Sequence, residues 1–200
     1  MGDAKHRSEI LEAAAAAFTR YGYRRVTMGD LARGAGISRP TLYCVFPNKE
    51  AVFRGVVRRF HESALAEIGA RIGSVDSLPG RLEIAFEVWL IRPYRMMDRS
   101  PDARELLEST HAFASEVFEE SYRQFEALLA SVIEPFADRL KFIDMTPSEL
   151  ARALSAAGRG MKAHAGDVEE LAGLVSGLIR MTVASLYPSE TASRVAEGVG

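Results

Sequence analysis

Helical periodicity is the sequence feature that most limits the fold. Apolar residues recur every three or four positions, as in Ile10, Ala14 and Phe18, and no β-branched run alternates in the manner of a strand. Residues 146–149, TPSE, combine a capping hydroxyl, a proline at the first helical position and an acid at the third, which is typical of a helix start. The sequence therefore predicts an all-α fold of about nine helices.

Charge divides the chain into two parts. Residues 1–60 carry eleven Lys or Arg and five Asp or Glu, whereas residues 61–200 carry fourteen and twenty-two. A basic module on an acidic body suits a protein that meets a polyanion at one end. The segment SVDSLPG at 74–80 is the clearest linker, and we place the boundary in the helix before it. We predict a basic N-terminal domain, residues 1–55, and a larger helical domain, residues 56–200.

The cysteine count and the apolar runs indicate a compartment. Cys44 is the only cysteine and cannot form an internal disulfide, and the first ten residues are charged where a signal peptide would be apolar. The longest apolar runs are far shorter than the roughly 20 residues that span a bilayer. We expect a cytoplasmic protein with no membrane partner.

Two short helices joined by a glycine turn follow the first helix. Thr27 and Asp30 form a capping-box pattern that starts one helix, and Gly36 permits a tight turn after it. Ser38 can cap the next helix, and Pro40 falls in its first turn, where a missing N–H removes no helical hydrogen bond. This pattern predicts a helix-turn-helix, whose second helix can enter the major groove of DNA.

The outward face of that second helix carries groups that bind DNA. A guanidinium suits a guanine edge or a phosphate, hydroxyls suit bases or backbone, and helix N-termini attract phosphate. The candidate DNA-binding residues are Arg24, Arg25, Thr27, Ser38, Arg39, Pro40, Thr41, Tyr43 and Lys49.

The segment TMGDLARGAGISRPTLYCVFPNKEAVF, residues 27–53, resembles the DNA-binding signature of the TetR family of transcriptional regulators. The resemblance implies that residues 38–45 form the recognition helix. It also implies phosphate contacts at Thr27, Tyr43 and Lys49, and bases facing Arg39 and Thr41. The chain departs from the family at Pro40, where glycine is usual, and at Val45, where His or Tyr is usual.

Family members are typically homodimers whose C-terminal domain binds a small molecule, which moves the two DNA-binding heads out of register. The resemblance therefore implies a regulator of transcription that binds a palindromic double-stranded operator and is released by an effector. Repression is the preferred interpretation because a dimer covering a promoter blocks polymerase without a dedicated contact surface, and activation is the alternative.

Aromatic residues in the C-terminal part could line an effector pocket, which would then favour an apolar or aromatic molecule. Arg92 and Arg95 are possible polar contacts in addition. The candidate ligand-binding residues are Phe86, Trp89, Leu90, Tyr94, Met97, His111, Phe113, Phe118, Tyr122 and Phe125.

The last two helices combine small and large apolar residues, so that helices of two chains could approach closely and form a four-helix interface. An intramolecular contact would have the same pattern. The candidate interface residues are Ala153, Ala157, Gly160, Met161, Leu171, Leu174, Gly177, Leu178 and Met181.

An enzyme and a carrier of hydrophobic ligands are the alternatives to a DNA-binding protein. Glu108 and His111 form a Glu-x-x-His pair like those of di-iron bundles, but such sites need two copies and further glutamates. We therefore predict no enzyme, no metal and no cofactor. A helical carrier of hydrophobic ligands would keep the pocket but leave the basic N-terminal part and the face formed by Arg39, Thr41 and Tyr43 unexplained.

Overall fold

The computed structural model describes the backbone of residues 2–98 and 101–187, and the side chains of residues 6–96 and 114–187. The predicted all-α fold is confirmed, since these backbone ranges contain no strand. No helix in the described part is long and apolar enough to cross a membrane. The α-helices are α1 Gly2–Tyr21, α2 Met28–Gly34, α3 Arg39–Val45, α4 Lys49–Ile72, α5 Leu78–Phe86, α6 Arg92–Asp98, α7 Pro101–Ile133, α8 Ala137–Leu140, α9 Pro147–His164 and α10 Val168–Leu186.

Local capping chemistry fixes the helix starts. At α2 the Thr27 side chain accepts from the Asp30 backbone N–H while the Asp30 carboxylate accepts from the Thr27 backbone N–H, which completes the predicted capping box. At α3 the Ser38 side chain accepts from the Thr41 backbone N–H, and a proline follows in the first turn. Gly36, with φ of +66°, makes the turn between α2 and α3 in a conformation that only glycine adopts without strain.

The N-terminal unit comprises Met1–Ser63 and Met96–Ser121. Its core holds apolar residues from α1 to α4, including Ile10, Phe18 and Val52, which are almost completely buried. Leu42 is the only buried residue of α3 and is fully enclosed. Leu42 is therefore the main contact of the second helix of the helix-turn-helix with the core, and the half-buried Val45 packs beside it.

Helix α4 packs closely on this core at Gly55. A Cβ atom there would lie 2.7 Å from Leu11 Cδ2 and 3.3 Å from Phe46 Cε1, whereas a Cβ at Gly69 of the same helix meets nothing within 4 Å. We expect Gly55→Ala to lower the free energy of unfolding by about 1–2 kcal/mol, because overpacking outweighs the gain in helix propensity. Gly69→Ala should raise it by about 0.5–1 kcal/mol. Denaturant unfolding compares the two, and a gain for both variants would contradict the packing described.

The C-terminal unit comprises Ala64–Arg95 and Tyr122–Gly200. Helix α10 packs against α5 and α9, and the core includes the fully buried Phe86, Phe125 and Leu129. Residues 81–97 are apolar nearly all round in sequence, which predicts a centrally buried helix, and in this range Leu82, Ala85, Phe86 and 88–91 are buried. The predicted boundary between a DNA-binding domain, residues 1–55, and a second domain, residues 56–200, stays a prediction.

A π-helical turn, Glu87–Ile91, separates α5 from α6. The sequence predicts a kink or stop at Pro93, and the structure shows how it is accommodated. Proline has no N–H to donate to the carbonyl four residues earlier, and just before it the Arg92 backbone N–H bonds five residues back, to the Glu87 carbonyl. The wider turn lets the helical path continue into α6.

One predicted boundary is wrong. The sequence pattern predicts a short helix at about 102–109 and a separate helix after it, but the structure has a single helix, α7, over Pro101–Ile133. The chain has neither glycine nor proline between Asp102 and Ile133, so no backbone feature interrupts the hydrogen bonding.

Candidate nucleic-acid interface

Helix α3 presents an open face to solvent. With Leu42 turned into the core, Arg39, Pro40, Tyr43 and Cys44 are exposed. Tyr43 keeps 47% of its surface accessible, which is unusual for an aromatic side chain without a partner to cover it. The structure therefore brings a guanidinium, a phenol and a thiol onto one short helical surface.

The two hydroxyls predicted for this face bond to each other. Ser38 Oγ and Thr41 Oγ1 lie 2.8 Å apart, and Ser38 Oγ also accepts from the Thr41 backbone N–H at 3.2 Å. Only one of the two hydroxyl protons is used between them. The pair can therefore donate one further hydrogen bond to a phosphate or base.

Thr27, for which a phosphate contact is predicted, makes two hydrogen bonds to Asp30. Its hydroxyl donates to Asp30 Oδ2 at 2.6 Å and its backbone N–H donates to the same oxygen at 3.0 Å. These hydrogen bonds lower the pKa of the Asp30 carboxyl, with Arg33 adding a smaller electrostatic effect. The hydroxyl proton of Thr27 is thus already donated within the protein.

Arg39 reaches from α3 to the start of α2. A Cβ placed on Gly29 would lie 3.5 Å from Thr27 Oγ1 and 3.8 Å from Arg39 Nε, so both side chains come together over this glycine. The missing side chain leaves the backbone of the first α2 turn accessible beside the guanidinium. A phosphate could contact Arg39 and this backbone together.

Lys49, for which a phosphate contact is predicted, makes several hydrogen bonds within the DNA-free chain. Its ammonium donates to the backbone carbonyls of Tyr23 at 2.9 Å, Val26 at 3.0 Å and Arg24 at 3.5 Å. It also lies 4.3 Å from the Tyr23 ring centroid, and burial lowers its pKa. Burial likewise raises the pKa of Tyr23 to about 12. In the DNA-free chain Lys49 therefore fastens the loop between α1 and α2.

This loop carries the two predicted arginines. The side chains of Arg24 and Arg25 are exposed, while the carbonyl of Arg24 is one of the acceptors of Lys49. Lys49 thus fixes the backbone from which both guanidinium groups project. The predicted phosphate contacts of Arg24 and Arg25 fit this geometry.

We expect Lys49→Met to lower the free energy of unfolding by about 1.5–3 kcal/mol, because hydrogen bonds from a charged donor are lost. The matched control, Arg25→Met, removes an exposed cation from the loop and should change stability by less than about 0.5 kcal/mol. Arg25→Met should instead reduce the salt dependence of DNA binding by about one phosphate. Denaturant unfolding and binding at several salt concentrations measure both. If Lys49→Met left stability unchanged and reduced the salt dependence of DNA binding, Lys49 would contact a phosphate and would not hold the loop.

The structure also gives the positions of two residues of α3 that are not among the DNA-binding candidates. Val45 packs against the core of the N-terminal unit, which explains an apolar residue where the family pattern has a polar one. Its spacing of three from Leu42 was the available signal. Cys44 lies two residues from Leu42, about 200° around the helix, and so points away from the core. It is exposed, and the sequence analysis left it out of the DNA-binding set.

The aromatic candidates of the C-terminal unit form one cluster. The rings of Trp89 and Phe125 stack with centroids 4.6 Å apart and an interplanar angle of 4°, and Tyr122 meets Trp89 edge-on at 5.8 Å. Phe86 contacts Phe125 edge-on at 6.1 Å. Leu90 is buried in the same core. Five predicted residues therefore meet around the π-helical turn.

The polar candidates are already paired. Arg92 donates to both oxygens of Glu67 at 2.7 Å and lowers the pKa of that carboxyl to about 2, while Arg95 pairs with Glu87 at 3.2 Å. Tyr94 Oη donates to the Ala165 carbonyl at 2.7 Å. The suggestion that Arg92 and Arg95 are open for an effector is corrected by these ion pairs.

The structure places one further candidate elsewhere and does not describe the side chains of three others. Phe118 packs in the N-terminal unit, with its ring 5.7 Å from that of His61, and so does not belong to the cluster around Trp89. The side chains of Met97, His111 and Phe113 lie outside the described residues, as does that of Glu108.

The predicted dimer surface is largely accessible. Leu174 and Met181 of α10 are 40% and 65% exposed, and Ala153 and Gly160 of α9 are exposed near small residues. The half-buried candidates are Ala157, Met161, Gly177 and Leu178. Leu171 is corrected, because it is completely buried in the core of its own chain and offers no surface to a partner.

Known proteins resemble the chain most clearly in its N-terminal part. Residues 10–56 match the family model described as bacterial regulatory proteins, tetR family. The HTH-type transcriptional repressor ComR of Escherichia coli is 35% identical over 66 residues, which are 33% of this chain and 31% of ComR. The chain thus spans under a third of this relative.

Two longer matches extend the comparison. The HTH-type transcriptional regulator EthR of Mycobacterium tuberculosis is 31% identical over 137 residues, covering 65% of this chain and 61% of EthR. A solved structure from Saccharomonospora viridis, in complex with choline, aligns with a TM-score of 0.65 at 21% identity, covering 88% of this chain and 96% of that one. The latter similarity shows the fold.

Proposed function

We propose that the chain is a member of the TetR family of bacterial regulatory proteins, that it binds operator DNA through α3 and that it regulates transcription as a repressor. One observation carries the proposal. The side of α3 opposite its single buried residue, Leu42, is an exposed surface of Arg39, Tyr43 and Cys44. These side chains make no contact that the described core needs. Their polar groups suit contacts with base edges in the major groove of DNA.

The electrostatics around α3 support the same conclusion. Residues 1–60 carry six more basic than acidic residues, and the loop fastened by Lys49 projects Arg24 and Arg25. Arg39 lies beside the accessible start of α2. Phosphate contacts from these groups would orient the helix, and its outward side chains would read bases.

The proposed active species is a homodimer through the outer faces of α9 and α10. Exposed Leu174 and Met181 stand beside small residues that let a second pair of helices approach closely. A twofold dimer carries two α3 helices and would bind a palindromic operator with half-sites one turn apart, about 34–36 Å, or a multiple of it.

The proposed signal is a small molecule that binds the C-terminal unit. The aromatic cluster of Phe86, Trp89, Tyr122 and Phe125 surrounds a π-helical turn, a backbone feature that is frequent at functional sites. The choline of the Saccharomonospora viridis protein supports small-molecule binding on this fold. Occupation of the unit would lower operator affinity.

A gel shift tests the DNA-binding part. The purified chain is mixed with the DNA upstream of its own gene and with a random duplex library at several stated salt concentrations. We expect a specific complex whose affinity falls steeply with salt. If neither the upstream DNA nor any duplex enriched from the library gives a specific shift, the regulator proposal fails and a ligand carrier without DNA binding becomes the better interpretation.

A further inference from the structure

The middle of the exposed side of α3 is apolar. Successive residues of an α-helix are about 100° apart, so Pro40 and Cys44, two positions before and after Leu42, lie about 160° and 200° from it. Leu42 is buried, and both of the other residues are exposed. Pro40 and Cys44 therefore form a line opposite the core, which we call the apolar strip of α3. This strip projects farthest from the core of the N-terminal unit.

The side chains of the apolar strip offer no strong hydrogen bond. The pyrrolidine ring of Pro40 contains no polar atom besides its backbone nitrogen, which carries no hydrogen. The Cys44 thiol is a weak donor and a weak acceptor, and it packs as a small apolar group. A polar base edge placed against the strip would lose hydrogen bonds to water without replacing them, which is unfavourable. The strip therefore fits an apolar part of a base pair.

Groups that can form hydrogen bonds flank the strip on both sides. By the same geometry, Arg39 and Tyr43 lie about 60° and 100° from Leu42 on one side. Thr41 lies about 100° from Leu42 on the other side. Arg39 also reaches back toward the start of α2, since a Cβ on Gly29 would lie 3.8 Å from its Nε. The major groove offers a matching arrangement, because the apolar 5-methyl group of thymine lies beside the hydrogen-bonding atoms of the base edges.

We propose that Pro40 is a specificity-determining residue that packs on the 5-methyl group of one thymine in each operator half-site. Pro40 is the second residue of α3, and the first residues of a recognition helix are those that contact base edges. Its ring fixes φ, so the contact requires no flexible side chain to be ordered. Glycine, which is usual at this position in the family pattern, has no side chain for such a contact. The inference rests on the proposed DNA binding through α3 and names a base that α3 distinguishes.

Deoxyuridine in place of thymidine tests this contact, because it keeps the base pair and removes only the methyl group. The full chain is first used to select an operator from a random duplex library. Each thymine of one half-site is then replaced singly, and binding is measured by fluorescence anisotropy at one stated salt concentration. We expect at least one replacement to weaken binding about fourfold, as the loss of one buried methyl group does.

A double-mutant cycle assigns the methyl group to Pro40. Pro40→Gly should bind the thymine and deoxyuridine duplexes equally at the sensitive position, because the ring that contacts the methyl group is gone. Pro40→Ser, which replaces the ring by a polar group, should do the same. Each comparison is a ratio within one variant, so a general loss of affinity does not imitate the result. Arg58→Ala, at an exposed arginine of α4, is the matched control and should keep the fourfold difference of about that size.

The outcomes separate this inference from the proposed function. Half-sites without thymine, thymines whose replacement never weakens binding, or a deoxyuridine penalty that survives both Pro40 substitutions would overturn the inference. Failure to select any operator would contradict the proposed function as well. An operator that requires Arg39 and Tyr43 but is insensitive to deoxyuridine would preserve the proposed function and remove this inference alone.

Discussion

Changing Arg39 and Tyr43 together to alanine is expected to weaken operator binding by about a hundredfold or more. Each good contact to a base edge or phosphate contributes about 1–3 kcal/mol, and the two exposed side chains supply the largest groups of the α3 face. Neither is buried in the core, so the free energy of unfolding should change by less than about 0.5 kcal/mol. The expected result is a folded protein that no longer recognises its operator.

Fluorescence anisotropy with labelled operator and with a scrambled duplex measures this effect. Arg58→Ala is the control. Arg58 is an exposed arginine of α4 in the same unit, and its substitution removes the same charge as that of Arg39. Its effect should be small and equal for both duplexes. Operator affinity that is unchanged by the double substitution, or lost equally in the control, would show that α3 is not the recognition helix.

Leu42→Ala is expected to have the largest effect on stability. Leu42 is the one fully buried residue of the seven-residue helix α3, so truncation should lower the free energy of unfolding by about 2–5 kcal/mol. An α3 released from the core would also lose its orientation toward DNA. We therefore expect operator binding to be lost well below the unfolding temperature of the C-terminal unit.

Urea unfolding followed by circular dichroism, with Trp89 fluorescence reporting on the C-terminal unit, separates the two units. Leu42→Met keeps the volume and should cost less than about 1.5 kcal/mol while preserving DNA binding. If Leu42→Ala were as stable as the unchanged chain, or bound operator with full affinity, the description of Leu42 as the main core contact of α3 would be wrong.

Much of the fold could be predicted because helix starts are local. The caps at Thr27, Ser38, Thr146 and Asp167 depend on residues within one turn, and the structure contains the hydrogen bonds that each pattern predicts. The continuous helix α7 could also have been predicted, since its sequence contains no glycine or proline after Pro101. There the expected break had no physical cause.

The features that escaped prediction depend on partners far away in sequence. Lys49 reaches carbonyls 23 to 26 residues away, and Arg92 pairs with a glutamate 25 residues away. Spacing reports which face a residue occupies but not which distant group it meets.

The central claim is that the exposed side of α3 contacts DNA, and Cys44 tests it most directly. This thiol is the only cysteine of the chain and points away from the core of its unit, so a maleimide reagent modifies one known position. The measurement is the rate of labelling with saturating operator, with scrambled duplex and without DNA. We predict that labelling is at least about tenfold slower with the operator and is not slowed by the scrambled duplex. A tenfold slower rate means that exposing the thiol in the complex costs at least about 1.4 kcal/mol. Equal rates in all three samples, with operator binding verified in the same tubes, would contradict it.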